Sequence, residues 1–149
     1  MATLKIGDKA PNFSGINQDG NPVQLSDFKG SKLVVFFYPK ASTPGCTAEA
    51  CNLRDNHERF LSEGYRVIGV SADSPKRQAN FKNKQELPYD LIADEDKSII
   101  NAFGVWGPKK FMGREYEGIL RTTFVIDEQG LIEKVIDKVK TKEHAAQIL

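Results

Sequence analysis

Residues 33–46 have the sequence LVVFFYPKASTPGC and decide the fold, because a strand and a helix meet within them. The run from Leu33 to Tyr38 is apolar and aromatic without alternation, which predicts a strand buried on both faces. Pro39 is expected to end this strand. Thr43 suits the cap of a helix, and we expect that helix to run from Pro44 to about Glu63.

The rest of the chain alternates between strand and helix signals. The expected elements are, in chain order, a hairpin of Phe13–Gln18 and Val23–Leu25, a strand at Arg66–Ala72, a helix from Ser74 to before Pro88, a strand at Asp90–Ala93, a helix at Lys97–Phe103, a hairpin of Thr122–Ile126 and Leu131–Ile136, and a helix from Lys142. This order predicts one α/β domain over residues 1–149, with a mixed central β-sheet flanked by helices and an N-terminal β-hairpin.

One stretch carries neither a strand nor a helix signal. The stretch from Gly104 to Gly118 contains four glycines, counting both ends, together with Pro108 and three large aromatic residues. We expect a long loop here, of the kind that is usually functional or mobile.

The composition limits the classes of function. The 149 residues carry 21 Lys and Arg against 20 Asp and Glu, a net charge of +1, which lacks the basic excess that nucleic-acid binding requires. The longest apolar run is far too short to cross a bilayer, and the N-terminus lacks the apolar segment of a secretory signal. Two cysteines cannot form a disulfide scaffold. We therefore expect a soluble, cytoplasmic protein that binds neither nucleic acid nor membrane.

Nucleotide and metal sites are not indicated. Neither G-x-x-x-x-G-K-[ST] nor G-x-G-x-x-G follows any expected strand. The cysteines and histidines that could hold zinc are Cys46, Cys51, His57 and His144. Cys46 and His57 would stand about 16 Å apart along one helix, at 1.5 Å per residue, so they cannot clasp one ion. We expect no metal and no cofactor.

Cys46 is the strongest candidate for chemistry. It falls in the first turn of the predicted helix, where unpaired N–H groups and the positive end of the helix dipole stabilise an anion. A thiol in such a place is held largely as thiolate, the nucleophilic form. The alternative is a buried structural cysteine, since cysteine is among the most buried residue types.

Cys51 lies on the same predicted helix, about 140° around it and roughly 7.5 Å along it from Cys46. The two Cα atoms would then be about 8.6 Å apart, beyond the roughly 7 Å limit for a disulfide. The sulfurs can therefore bond only if the first turns unwind, which Gly45 makes easier. This spacing favours a two-stage reaction in which Cys46 is oxidised first and Cys51 attacks after local opening. The alternative is that the two cysteines are unrelated.

Three further residues are candidates to support Cys46. Thr43 can direct its hydroxyl into the same pocket, or it can simply cap the helix. Pro39 can shield the thiolate from water, or it can simply end the strand. Arg121 opens the predicted strand 122–126, where a lone arginine is most often solvated. Its position in the sequence does not by itself bring it to Cys46.

The segment Pro39-x-x-x-Thr43-x-x-Cys46 resembles the peroxiredoxin active-site motif, P-x-x-x-[TS]-x-x-C. The longer string FYPKASTPGCTAEAC, with a second cysteine five residues after the first, is similar to the bacterioferritin comigratory protein group, also called PrxQ. The likeness continues through GDKAPNF near the start and through GVWGPKKFMGREYEGILRTTFVID, so it covers nearly the whole chain.

This resemblance implies a thioredoxin-like fold and a thiol-dependent peroxidase. Such an enzyme reduces hydrogen peroxide and small organic hydroperoxides without metal or haem. Thioredoxin or a similar dithiol donor would recycle it. An intramolecular disulfide needs no second subunit, so we expect a monomer. Two alternatives remain: a thiol–disulfide oxidoreductase that ignores peroxide, and a non-enzymatic redox sensor.

The resemblance also implies roles for single residues. Cys46 would be the peroxidatic cysteine that becomes a sulfenic acid, and Cys51 the resolving cysteine. Arg121 would hold Cys46 as thiolate and stabilise the charge that develops on the peroxide oxygens. Thr43 and Pro39 match the remaining motif positions. A sixth residue, Glu49, would orient Arg121.

Overall fold

The computed structural model describes residues 4–149, without the side chain of Phe111. The strands are β1 (Ser14–Ile16), β2 (Pro22–Gln24), β3 (Lys32–Phe37), β4 (Tyr65–Ser71), β5 (Asp90–Ala93), β6 (Trp106–Phe111), β7 (Arg114–Ile119), β8 (Thr122–Ile126) and β9 (Ile132–Ile136). The helices are α1 (Pro44–Asp55), α2 (His57–Ser62), α3 (Pro75–Gln85), α4 (Ser98–Ala102) and α5 (His144–Ile148). A short 3-10 helix, Leu25–Phe28, follows β2.

A five-stranded mixed sheet forms the centre of the fold, in the order β5-β4-β3-β8-β9. β3, β4 and β5 run parallel, while β8 pairs antiparallel with both β3 and β9. β1 and β2 form a separate antiparallel hairpin near the N-terminus. The expected mixed α/β architecture with an N-terminal hairpin is confirmed.

β3 is the central strand, and it is buried on both faces as its composition predicts. Its side chains alternate between two apolar clusters, one on each face of the sheet. Val34 and Phe36 lie in the cluster that also holds buried residues of α1, α2, α3 and α5. Val35 and Phe37 lie in the other cluster, against α4. The chain therefore passes from β3 into α1 near the middle of one face of the central sheet.

The single helix expected from Pro44 to about Glu63 is instead two helices that meet at Asn56. The Asn56 side chain donates a hydrogen bond to the backbone oxygen of Asn52 at 2.8 Å, and its own N–H bonds to the oxygen of Leu53. Asparagine side chains that bond to nearby backbone compete with regular helix in this way. Leu61, in the second of these helices, is 48% exposed.

The prediction of a long loop from Gly104 to Gly118 is wrong. β6 and β7 form an antiparallel hairpin that occupies most of this stretch. Met112 and Gly113 turn it, with φ of 51° and 79°. A two-residue turn with positive φ at both positions matches the twist of paired strands, but Met-Gly is not one of the usual turn dipeptides. The hairpin therefore carries no strong local signal.

The remaining elements agree with expectation within a few residues. β8 and β9 form the predicted closing hairpin. Ser74 caps α3, since its hydroxyl accepts a hydrogen bond from the Arg77 N–H at 3.3 Å. The last helix begins at His144, two residues after its expected start at Lys142. Within residues 4–149, none of the helices has the length and apolar character needed to cross a bilayer.

Gly69 on β4 has no side chain, which leaves room for the neighbouring side chains of β3 and β5. A substitution at Gly69 tests this packing. A Cβ atom there would lie 2.7 Å from Phe36 Cζ and 2.9 Å from Leu91 Cδ2. We expect Gly69→Ala to lower the free energy of unfolding by about 1–3 kcal/mol, as overpacking of a core does. Urea denaturation would measure the change.

Gly118→Ala is the matched control. Its added Cβ would meet Lys109 Cδ at 3.2 Å and the Tyr116 ring at 3.5 Å, both on side chains that can move. Equal destabilisation by the two substitutions would contradict the packing that we describe around Gly69.

Candidate active site

Cys46 lies in the first turn of α1, which begins at Pro44. The preceding Thr43 has the extended backbone of a cap residue, with φ of −82° and ψ of 155°. Cys46 is 1% exposed and packs in the apolar cluster above β3. The prediction that this cysteine sits at the positive end of a helix is confirmed. The helix N–H groups and dipole there favour a negatively charged sulfur.

Arg121 lies beside Cys46, although the two are far apart in sequence. Arg121 immediately precedes β8, and β8 pairs with β3, so the guanidinium reaches the start of α1. Its Nη2 donates a hydrogen bond to Cys46 Sγ at 3.4 Å. Burial opposes the charge on Arg121, but Cys46 and Glu49 outweigh that effect and raise the pKa of the guanidinium. The arginine is thus held as a fixed cation next to the thiol.

Gly45 has no side chain, and this leaves space for the guanidinium of Arg121. A Cβ atom on residue 45 would lie 3.2 Å from Arg121 Nη2, closer than most such contacts. The absence of a side chain therefore lets Arg121 approach the first turn of α1. This second role for Gly45 had no signal in the sequence, which indicated only its flexibility.

Glu49 completes a three-group cluster with Arg121 and Cys46. It lies one turn after Cys46 on α1 and is fully buried. Its Oε1 accepts a hydrogen bond from Arg121 Nη1 at 2.6 Å. Burial raises the pKa of Glu49 to about 7, even though the charge and hydrogen bond of Arg121 act to lower it. The guanidinium is therefore shared between a thiol and a carboxyl group.

Thr43 and Pro39 lie in the short loop between β3 and α1. Thr43 occupies the predicted cap position of α1, but its hydroxyl donates to the backbone oxygen of Lys40 at 2.8 Å and forms no capping hydrogen bond with the helix. Pro39 is half-buried directly after β3. Ala41 in the same loop donates its N–H to Asp73 Oδ2 at 2.7 Å, so Asp73 holds the loop against the sheet. The sequence had not indicated Asp73.

Cys51 lies on the unbroken helix α1 with Cys46, as predicted, and both thiols are free. Cys51 is half-buried, and its Sγ donates to Gln85 Oε1 at 3.4 Å at the end of α3. Arg54 binds the backbone oxygen of Gln85 at 2.7 Å. The second cysteine is therefore held against α3 and away from the first.

His144 is a buried neighbour of Glu49 that sequence reasoning missed. It is fully buried on α5, and its Nε2 lies 3.4 Å from Glu49 Oε2. Only its burial and its contacts distinguish it, and neither is visible in the sequence. Within residues 4–149, no group of three His, Cys, Asp or Glu side chains is arranged to hold a metal ion.

The raised pKa of Glu49 predicts how stability depends on pH. The folded protein holds a proton on Glu49 up to about pH 7, whereas the unfolded chain releases it near the ordinary value of 4.5. Between these values the Glu49 contribution to the free energy of unfolding therefore falls as pH rises. We expect wild type to lose stability relative to Glu49→Gln across this window, by up to about 3 kcal/mol.

Urea denaturation of both proteins from pH 4.5 to pH 8 would measure this difference. The glutamine variant serves as the reference because it keeps the size of the side chain and cannot titrate. A constant difference between the two curves would contradict a raised pKa for Glu49.

Comparison with known proteins identifies relatives over the full length of the chain. The sequence profile of the AhpC/TSA family matches residues 6–135. Peroxiredoxin Bcp of Escherichia coli K12 is 48% identical over 149 residues, which are 100% of this chain and 96% of the relative.

Solved structures agree with this match. A Cys-to-Ser variant of PrxQ from Xylella fastidiosa has a TM-score of 0.92 at 30% identity, covering 99% of this chain and 94% of that one. The bacterioferritin comigratory protein of Xanthomonas campestris has a TM-score of 0.87 at 32% identity, with 99% and 94% covered. These neighbours have the thioredoxin fold, so the expected thioredoxin-like fold is confirmed. The chain belongs to the AhpC/TSA family, among the peroxiredoxins of the Bcp and PrxQ group.

Proposed function

We propose that this protein is a thiol-dependent peroxidase in which Cys46 reduces hydrogen peroxide and small organic hydroperoxides. The observation that carries the proposal is the hydrogen bond of 3.4 Å from Arg121 Nη2 to Cys46 Sγ at the first turn of α1. A helix N-terminus and a fixed cation both stabilise the thiolate, which is the reactive form. The same cation is placed to stabilise negative charge that develops during the reaction.

The first step transfers two electrons from sulfur to the peroxide. The Cys46 thiolate attacks the terminal oxygen of ROOH, an S–O bond forms, and the O–O bond breaks. Cys46 becomes a sulfenic acid and RO⁻ leaves, to take up one proton and form ROH. Arg121 stabilises the charge as it moves from sulfur to the peroxide oxygens. Thr43 and Pro39 shape the loop against which the peroxide lies.

The second step joins Cys46 to Cys51. The Cys51 thiol attacks the sulfenic acid, a disulfide forms, and water leaves. The spacing on α1 prevents this while the helix is intact, so the first turns of α1 unwind and Cys51 leaves its contact with Gln85. The disulfide lies within one chain and needs no second subunit, which favours a monomer that acts as one domain.

A dithiol donor of the thioredoxin kind then restores both thiols. Its thiolate attacks the Cys46–Cys51 disulfide, and the donor ends as the oxidised partner. The proposed setting is the reducing cytoplasm, where such donors keep protein thiols reduced. The relatives support this chemistry: the Xanthomonas campestris protein is described in terms of its alkyl peroxide reduction activity.

Single-cysteine variants test the proposed cycle. With thioredoxin, its reductase and NADPH present, added peroxide should cause NADPH consumption by the wild type. Cys46→Ser should abolish this consumption, because it removes the attacking sulfur. Cys51→Ser should still consume one equivalent of peroxide but should lose efficient recycling.

The alternatives give different results in the same assay. A disulfide exchanger that ignores peroxide would consume NADPH only with a disulfide substrate. A redox sensor would be oxidised slowly, without turnover. Sustained peroxide turnover by Cys46→Ser would overturn the proposal.

A conservative change at Arg121 tests the role of the guanidinium. Lysine keeps the positive charge but cannot bind Cys46 and Glu49 through two separate nitrogens. We expect Arg121→Lys to slow the oxidation of Cys46 by peroxide about 100-fold, the usual cost of losing a donor that stabilises developing charge. Stopped-flow measurement on the Cys51→Ser background isolates this step.

Arg114→Lys is the control, because Arg114 is an exposed arginine on β7. It should leave the oxidation rate unchanged. A full rate in Arg121→Lys would show that any nearby cation is sufficient.

A further inference from the structure

The cluster around Cys46 continues inward to the C-terminal helix. His144 on α5 has both ring nitrogens in contact with polar groups, although the side chain is fully buried. Nδ1 lies 2.8 Å from Gln147 Oε1, and Nε2 lies 2.7 Å from Thr123 Oγ1. Nε2 also lies 3.4 Å from Glu49 Oε2. A chain of contacts thus joins α5 to the thiol through Glu49 and Arg121.

The hydrogen bonds of Gln147 locate the proton on the imidazole. Gln147 Oε1 accepts from the Lys140 N–H at 2.9 Å, and Gln147 Nε2 donates to the Lys138 carbonyl oxygen at 2.9 Å. These two backbone partners fix the orientation of the amide, so the atom that faces His144 Nδ1 is an acceptor. Nδ1 must therefore carry a hydrogen. In neutral His144, Nε2 is then the bare nitrogen.

If Nε2 carries no hydrogen, it faces a second hydrogen-bond acceptor, and one added proton removes the repulsion between them. Among residues 4–149, Glu49 Oε2 has no hydrogen-bond partner, although it is buried and faces Nε2. A carboxylate oxygen and a bare nitrogen both act as acceptors, and at this distance they repel each other. A proton on Glu49 Oε2 turns this contact into a donor–acceptor pair. The Thr123 hydroxyl, 2.7 Å from Nε2, donates to the same nitrogen, so the two O–H groups share its one lone pair in a three-centre hydrogen bond.

The pKa shifts agree with this arrangement of the proton. Burial raises the pKa of Glu49 to about 7, so burial favours its neutral form. Burial also lowers the pKa of His144, so the imidazole is favoured in its neutral form. Both shifts point to a pair that holds one proton on the carboxyl group and none on Nε2.

Other ionisable groups also face this cluster. Lys109 on β6 has a pKa that is lowered by burial and by Arg121, and raised by Cys46. Tyr89, just before β5, donates its hydroxyl to the Ala50 carbonyl oxygen, and burial, aided by Tyr38 and Glu49, raises its pKa. Neither group contacts Glu49 Oε2 or His144 Nε2.

We propose that Glu49 and His144 share a single proton, and that this proton decides how much of the Arg121 charge serves Cys46. With Glu49 neutral, Arg121 has one anionic partner, the Cys46 thiolate. With Glu49 ionised, the carboxylate competes for the guanidinium and the thiolate loses stabilisation. His144 is therefore a positioning residue for the reaction proposed above, because it keeps the proton on Glu49 without touching the peroxide.

The test measures the thiolate of Cys46 without peroxide, so it is independent of the proposed peroxidase activity. On the Cys51→Ser background, the rate of alkylation by iodoacetamide is followed from pH 4 to pH 9. Asn in place of His144 removes the acceptor for the carboxyl proton and leaves space in which an ionised Glu49 can be hydrated. We expect His144→Asn to move the midpoint of the alkylation profile to higher pH and to slow alkylation at pH 6 by about fivefold, a modest coupling between sites.

A double variant separates this role from a general loss of structure. The effect of His144→Asn must pass through Glu49, so it should disappear when Glu49→Gln is present. Ile148→Val is the packing control, since Ile148 is buried on α5 but its side chain neither titrates nor forms hydrogen bonds. It should leave the midpoint unchanged. An unchanged midpoint in His144→Asn, or the same shift with and without Glu49→Gln, would overturn the proposal.

A measurement on the chain with His144 intact covers the case in which His144→Asn does not fold. Nitrogen NMR of the imidazole reports which ring nitrogen is protonated. We expect neutral His144 with hydrogen on Nδ1 and a bare Nε2 between pH 5.5 and pH 6.5, where Glu49 keeps its proton. A charged ring, or hydrogen on Nε2 in the neutral ring, would also overturn the proposal.

Discussion

The site depends on one half-buried guanidinium. Arg121 donates from Nη2 to Cys46 and from Nη1 to Glu49, so a single planar group connects a thiol and a carboxyl group that lie one turn apart on α1. The hydrogen bonds to both partners offset the cost of removing part of this cation from water. Cys46 otherwise lies in a largely apolar cluster, and the guanidinium is the polar partner of its sulfur. The local chemistry is therefore a property of the three groups together.

The sheet is what allows these groups to meet. β3 delivers the start of α1, and its antiparallel partner β8 delivers Arg121. The pairing of Phe37 with Thr122 at the end of this ladder sets the position of the arginine directly before β8. A shift of one residue in this register would turn the side chains of β8 to the opposite face. The buried faces of β3 thus protect the register on which the site depends.

Residues close together in sequence were predictable, and those brought together by strand pairing were not. Cys46 and Cys51 could be placed on one helix because the cap, the proline and the cysteine spacing all lie in one segment. Arg121 stands 75 residues from Cys46, and only the pairing of β8 with β3 brings them into contact. The resemblance to a known family suggested Arg121, but the residue pattern alone did not.

Other features failed for identifiable physical reasons. The break at Asn56 depends on a side-chain hydrogen bond that competes with the helix, and asparagine is also tolerated inside helices. The β6–β7 hairpin turns at Met112, a residue that rarely adopts positive φ. His144 was considered only as a metal ligand, whereas the structure buries it against Glu49. Its place was visible only once α5 was packed on the core.

Two structural requirements oppose each other at Gly45. The residue stands in the first turn of α1, where an added methyl group would favour the helix but crowd the guanidinium. Selection for thermal stability alone would therefore favour alanine at position 45, because glycine is a weak helix former. The more stable helix would displace the Arg121 guanidinium and would also open less easily. Thermal stability and reactivity therefore place opposite requirements on this one residue.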